Sequence, residues 1–371
     1  MDSRIYQIAL AATRGISCRS YRELLKINPD PAAFFEMSHG ELQEVFTKHQ
    51  SIIEQIESRA MMERVKEEIE WIDKHGIRVL FAGNDEYPQR LNRSECADTP
   101  VILYAKGDCD FNMMRSVAIV GTRRATEYGR DMTARLVEQL VGEGVMVVSG
   151  LAYGIDAAAH RASLANGLTT VGVLGHGLDQ IYPSQNRSLA KEMVQNGGAL
   201  ITEYMSQTRI SPTYFPARNR IIAAMCDATV VVEASEKGGA LITAGIANSY
   251  QRDVFAVPGR VFDSYSKGCN NLIANNRANI LRNMDDLFYF LGWDKHTNAK
   301  GIEGRQQEIF AMLTAEEQKI YDILAETPNL TIEEIETRCS LSLPKIANAL
   351  LGMELKNAIK CLPGKTYHCS N

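Results

Sequence analysis

Six short apolar runs separated by longer connections constrain the fold of this chain more than any other feature. They are VAIVG (117–121), VMVVSG (145–150), TTVGVLG (169–175), GALITEY (198–204), ATVVVEA (228–234) and DVFAVPG (253–259). Continuous, unalternated β-rich runs are strands buried on both faces, and helix-length connections make such strands mainly parallel. In the stretch after the first run, Met132, Leu136, Val137, Leu140 and Val141 recur at helical spacing. Alternating βα units of this kind predict an α/β fold, a Rossmann-like, doubly wound, mainly parallel sheet.

The flanks read differently. Residues 1–75 are helical throughout, ending in a long charged segment, QSIIEQIESRAMMERVKEEIEWIDKHG, which predicts a compact all-α module. The Rossmann-like core occupies 76–293, and a polar, glycine-containing linker follows over 294–312. Residues 313–371 read as helix, helix, turn, helix and a short hairpin, a winged-helix-like module. Thr331 with Glu334 forms a capping-box signature for the second of these helices.

A length of 371 residues suits two or three domains. No apolar run approaches the roughly 20 residues that span a bilayer. The first residues lack the basic and apolar regions of a signal peptide. Eight cysteines stand singly with no CxxC pair, which fits reduced thiols rather than a disulfide scaffold or a zinc site. These observations predict a cytoplasmic protein. A net charge of −5 excludes a basic field over the whole surface, so contact with a polyanion requires a local concentration of cations.

Four strands end in glycine, at Gly121, Gly150, Gly175 and Gly259. Ligands of open parallel sheets bind beyond the carboxyl ends of the strands. Glycine there admits a ligand to the backbone and to the free N–H groups of the next helix. A tight βα turn needs glycine for its own sake, but four together favour a phosphate or nucleotide ligand. The first turn, Gly121-Thr122-Arg123-Arg124, is not GxGxxG, the second strand ends without a ribose-binding acid, and GxxxxGK[ST] is absent. Nicotinamide cofactors and ATP are thus disfavoured, and no cofactor is expected. Guanidiniums after the glycine suit phosphodiester oxygens, which they bind as a bidentate fork, the bland alternative being a pair of solvated arginines.

A second cluster, Tyr214-Phe215-Pro216-Ala217-Arg218-Asn219-Arg220, sets an aromatic ring beside two cations and an amide. Single strands need that mixture: bases stack on the ring while cations hold the backbone. The bland alternative makes Phe215 a core plug and the two arginines solvated. In a third cluster, Gly238 and Gly239 open a helix as an anion-receiving nest with Lys237 beside them, or as a plain helix entry. Asp156, Glu203 and Glu233 lie at or beyond strand ends, singly and interleaved with arginines, which favours orienting those arginines over two-metal chemistry. His160 and His176 have no nucleophile partner, so packing or polar solvation is their expected role.

GTRRATEYG, VVSGLAYGIDAAAH, VGVLGHGLDQIYPSQN, YFPARNRIIA, EASEKGGALITA and VFAVPG, in that order from about Gly76 to Leu291, together resemble the DNA-processing protein A family (DprA, or Smf). The flanks resemble the N-terminal SAM-like and C-terminal winged-helix modules of its longer members. The resemblance implies a non-enzymatic protein that binds single-stranded DNA, forms a homodimer, and hands the strand to the RecA recombinase in natural transformation. By motif, the implied DNA contacts are Gly121, Thr122 and Arg123, then Phe215, Arg218 and Asn219, then Lys237, Gly238 and Gly239; Arg124 and Arg220 join them by position. Many relatives carry serine in the first loop and arginine in the third, where this chain has Thr122 and Lys237. The presumed recognition helix of the last module carries only Lys345 and Lys356, few cations for a duplex, so no role is assigned to it.

The enzyme alternative is a phosphoribohydrolase with a PGGxGTxxE turn. Aligning its glycines on Gly238 and Gly239 puts Leu241 and Ile242 at the Gly-Thr and Gly245 at the catalytic glutamate, so the acid/base is missing. The apolar run Ile221–Met225 is compatible with a dimer surface or with core.

Overall fold

A computed structural model describes residues 2–293 and 314–369, apart from 48, 97, 328, 329, 340, 356, 357 and 363–365. The expected linker, 294–312, lies outside the described residues. The chain divides into two compact units between Asp294 and Lys295.

The first unit opens with five helices: α1 (Ser3–Ala12), α2 (Cys18–Ile27), α3 (His39–Val45), α4 (Gln50–Glu57) and α5 (Met62–His75). The charged segment is therefore two helices, broken where Arg59 takes φ 52°. The reason lies in helical phase. Ile56 and Val65 are nine residues apart, which at 3.6 residues per turn puts them on opposite faces of a continuous helix. The break turns Ile52, Ile53 and Ile56 of α4 and Val65, Ile69 and Ile72 of α5 into one core.

That core also takes in Phe81 of β1 (Arg78–Phe81) and Ile102 and Tyr104 of β2 (Ile102–Gly107). The helices before residue 76 thus pack on the edge of the sheet as part of the same unit. A polar tie reinforces the contact: the buried Glu68 carboxylate accepts the Ser206 N–H at 2.8 Å and its hydroxyl at 2.5 Å, and pairs with Arg64 at 2.7 Å.

The remaining strands are β3 (Arg115–Val120), β4 (Val145–Ser149), β5 (Thr170–Val173), β6 (Ala199–Thr202), β7 (Ala228–Val231), β8 (Asp253–Ala256) and β9 (Asn279–Ile280). They form a nine-stranded sheet of order β1-β2-β6-β5-β4-β3-β7-β8-β9. From β6 to β9 every pairing is parallel, as the six apolar runs predict, while β1–β2 and β2–β6 are antiparallel.

Helices α6 (Glu127–Glu138), α7 (Ile155–Ala165), α8 (Arg187–Gln195), α9 (Tyr214–Met225), α10 (Gly239–Ser249), α11 (Lys267–Ala274) and α12 (Met284–Leu291) connect them. Successive residues of a strand face opposite sides. Val117 and Ile119 accordingly pack with Leu136, Val137 and Leu287, while Ala118 and Val120 pack with Ile221, Ala244 and Leu272. The run Ile221–Met225, left open between dimer surface and core, is buried in the second of these layers.

The second unit contains α13 (Ala315–Glu326), β10 (Leu330–Thr331), α14 (Ile332–Arg338), α15 (Leu343–Leu355), β11 (Ile359–Leu362) and β12 (Thr366–Cys369). Its sheet has the antiparallel order β10-β12-β11, and Ile320, Leu324, Ile335, Ile346 and Met353 fill its core. Three helices with a terminal hairpin make a winged helix. The Thr331–Glu334 capping box starts α14 as expected.

Candidate nucleic-acid interface

Strands β3 and β7 lie side by side at the centre of the sheet, and the chain leaves them towards opposite edges. Such a switch point opens a crevice at the carboxyl ends of the strands. Here it holds a cleft of about 240 Å³, lined from β3 by Gly121, Thr122 and Arg123, and from α9 and α10 by the side chains described below.

Backbone bonds set the first loop. Thr122 N–H donates to the Glu233 carbonyl at 2.8 Å, and its carbonyl accepts from Ile155 N–H at 3.2 Å. The buried Glu233 carboxylate accepts both Thr126 N–H at 2.9 Å and the Thr126 hydroxyl at 2.5 Å, which anchors the start of α6. Glu233 is thus a structural acid rather than a partner of the arginines.

Helix α9 supplies the opposite wall through Phe215, Arg218, Asn219 and Ile222. Their i, i+3, i+4, i+7 spacing is one helical face. Gly239, Ile242 and Thr243 of α10 do the same across the cleft. Phe215 carries the Arg123 guanidinium 5.7 Å from its ring centroid.

Arg218 is 4% exposed, and its Nε and Nη1 have no hydrogen-bond partner. Burial lowers its pKa to about 10, against the pull of the Asp156 carboxyl. Asp156 is buried too; desolvation raises its pKa, opposed by the Arg218 charge and by hydrogen bonds such as that from Ala152 N–H at 3.3 Å. Arg218 thus stands beside the cleft as a buried cation whose charge is offset chiefly by the Asp156 carboxyl.

Several expected residues lie elsewhere. Arg220 is two positions from Arg218 and so points to the other side of α9. There its Nη1 and Nη2 grip Glu203 at 2.8 and 2.7 Å, and its Nε donates to the Asp98 carbonyl. It is neither solvated nor in the cleft. The Arg124 and Lys237 side chains are exposed and do not line the cleft, although the glycines beside Lys237 do.

The strand-end glycines differ most from expectation. A Cβ on Gly121 would meet Ile155 at 2.5 Å, on Gly175 Phe215 at 3.2 Å, and on Gly259 the Ser266 hydroxyl at 2.1 Å. They admit the protein's own side chains rather than a ligand. Of the cleft glycines, Gly239 alone has open space where a Cβ would stand.

The histidines pack as expected: His160 bonds Thr170 Oγ1 at 2.7 Å, and His176 the Gly177 carbonyl at 2.9 Å. Sequence reasoning did not single out Tyr153 and Tyr182, half-exposed rings beside Phe215. Both lie within family motifs, VVSGLAYGIDAAAH and VGVLGHGLDQIYPSQN, but the loops after β4 and β5 that bring the rings together meet only in the folded sheet.

A model of the DNA recombination-mediator protein A family matches residues 78–292, and a model of the DprA winged helix domain matches 310–365. A putative DNA processing protein DprA of Mycobacterium tuberculosis is 34% identical over 320 residues, covering 83% of this chain and 81% of that protein. The DNA processing protein DprA of Streptococcus pneumoniae is 40% identical over 207 residues, covering 56% and 72%. Its X-ray structure superposes with a TM-score of 0.66 at 31% identity, covering 77% of this chain and 97% of that one. DNA processing protein A of Helicobacter pylori, described for its single-stranded DNA binding mode, superposes with a TM-score of 0.53 at 31% identity, covering 59% and 97%.

Proposed function

This chain belongs to the DNA recombination-mediator protein A family, and from that premise we propose that its switch-point cleft holds single-stranded DNA without turning it over. Backbone phosphates lie against Arg123, Arg218 and the N–H groups around Gly238 and Gly239, and a base stacks on Phe215. The Arg218 guanidinium carries this reading, because two of its buried nitrogens lack partners beside an open cleft. A backbone phosphate in the cleft would supply this buried cation with a counter-charge, and paired bases of a duplex would not offer their faces to Phe215.

The protein then passes the strand to the RecA recombinase in natural transformation, acting as a homodimer in the cytoplasm. No helix among the described residues is long and apolar enough to cross a membrane.

Titration of the protein with a single strand and with its duplex at several salt concentrations tests the binding. The single strand is expected to bind more tightly, with an affinity that falls as salt rises. Equal or tighter binding of the duplex overturns the reading. Incubation with labelled oligonucleotide and with AMP, with and without Mg²⁺, tests the absence of chemistry, and turnover of either substrate refutes it.

A further inference from the structure

We propose that Tyr153 and Tyr182 form a second base-stacking platform, which carries the single strand away from the switch-point cleft past the ends of β4 and β5. This inference rests on the cleft being a single-strand site.

Both rings lie at the surface, Tyr153 40% and Tyr182 47% exposed. Together with Phe215 they line a small cavity that shares Arg123 and Arg218 with the main cleft. The Tyr182 and Phe215 rings stand 5.5 Å apart between centroids and 46° from parallel. The aromatic surface therefore continues past Phe215, with Arg123 at the junction. The cavity of about 20 Å³ is too small to admit a base, so a base would lie on the outer faces of the rings.

The platform is braced from behind, as a stacking surface needs to be. Buried Asn186 donates from Nδ2 to the Leu151 carbonyl at 2.9 Å and the Ala152 carbonyl at 3.2 Å, fixing the loop that carries Tyr153. The Tyr153 hydroxyl donates to Gln185 Oε1. Tyr182 N–H donates to Nε2 of buried His176 at 3.2 Å, and the other ring nitrogen of His176 bonds the Gly177 carbonyl. Two exposed aromatics on braced loops beside a cationic cleft are the parts that non-specific single-strand sites combine, a stacking face and a backbone track.

The test compares oligothymidylates of about six and about twenty nucleotides, spanning the usual range of single-strand site sizes. Tyr153→Ala and Tyr182→Ala are each expected to weaken the long strand on the order of tenfold, the effect of one lost stack. The short strand and the salt slope stay as in wild type, and Tyr182→Trp restores the long-strand affinity. In wild-type protein, a long strand carrying 5-iodouridine is expected to photocrosslink to Tyr153 or Tyr182, a readout independent of any variant's folding. Long-strand binding unchanged in both alanine variants, or crosslinks confined to Phe215, overturns the platform while a weakened Arg123→Ala keeps the cleft. Wild-type protein that binds neither strand overturns the cleft itself.

Discussion

A methyl group on Gly150 would stand 1.5 Å from Nη1 of Arg218, so the guanidinium fills the space that any other residue's side chain would occupy. Gly150, the residue that follows β4, and Arg218 of α9 are thereby one unit. Gly150 does not have a positive φ, so alanine there strains no backbone and acts only by displacing the guanidinium.

Gly150→Ala is therefore expected to weaken single-strand binding as much as Arg218→Ala does, on the order of tenfold for a charge-assisted contact. The double variant should bind no worse than either single one, because residues acting through one contact are not additive. Isothermal titration of the three variants measures this. Additive losses would mean that the glycine acts on the strand directly.

Arg123 and Phe215 touch, yet they are expected to separate in a salt titration. Arg123→Ala removes a phosphate contact and lowers the slope of log affinity against log salt by about 1. Phe215→Ala costs about 1–3 kcal/mol of stacking and leaves the slope unchanged, because a lost stack releases no counterions. A fall in slope for Phe215→Ala would place that ring among the electrostatic contacts.

The parallel part of the sheet was legible because strands buried on both faces read as unbroken apolar runs, and β3 to β8 are such strands. Strand β2 carries a similar run, Val101–Ala105, and β1 a shorter one, Val79–Ala82, which were not singled out, while the two-residue β9 is too short to give such a signal. Within the site, the chemistry of the first loop and of Phe215 and Arg218 was visible in residue type, but the division of labour between Arg218 and Arg220 was not. That division comes from helical phase, which the start of α9 at Tyr214 supplies. The strand-end glycines misled for a related reason. Their composition speaks of close approach and is silent on whether a ligand or another side chain makes it.

Arg220 gives the complementary prediction. Its pair with Glu203 is shielded, each side chain being 16% exposed. Arg220→Ala leaves that carboxylate without its cation and is expected to cost about 3 kcal/mol of stability. Urea denaturation reads this loss. The folded variant should retain the wild-type salt slope for single strands, and a lowered slope would return Arg220 to the DNA site.

His160 ties the interior behind the cleft to pH. The Thr170 hydroxyl donates to the Val147 carbonyl, so the ring donates from Nδ1 to Thr170 Oγ1 and Nε2 is the nitrogen that would take a proton. That Nε2 is buried without a partner. Burial, helped by the nearby Arg218 charge, holds the pKa at about 3, against 6.5 for a free ring. Above pH 6.5 the folded and unfolded chains both carry the neutral ring, and the full stability is present. As pH falls from 6.5 towards 3, only the unfolded chain takes the proton, and stability declines by about 1.4 kcal/mol per unit from this group. His160→Asn keeps an N–H donor for Thr170 and removes the titration. Its urea midpoint should therefore depend less steeply on pH between about 4 and 6, by close to one proton. Arg218→Ala should raise the His160 pKa in an NMR titration, because it removes the charge that disfavours the imidazolium. Equal pH slopes for wild type and His160→Asn would show that the buried ring does not control this window.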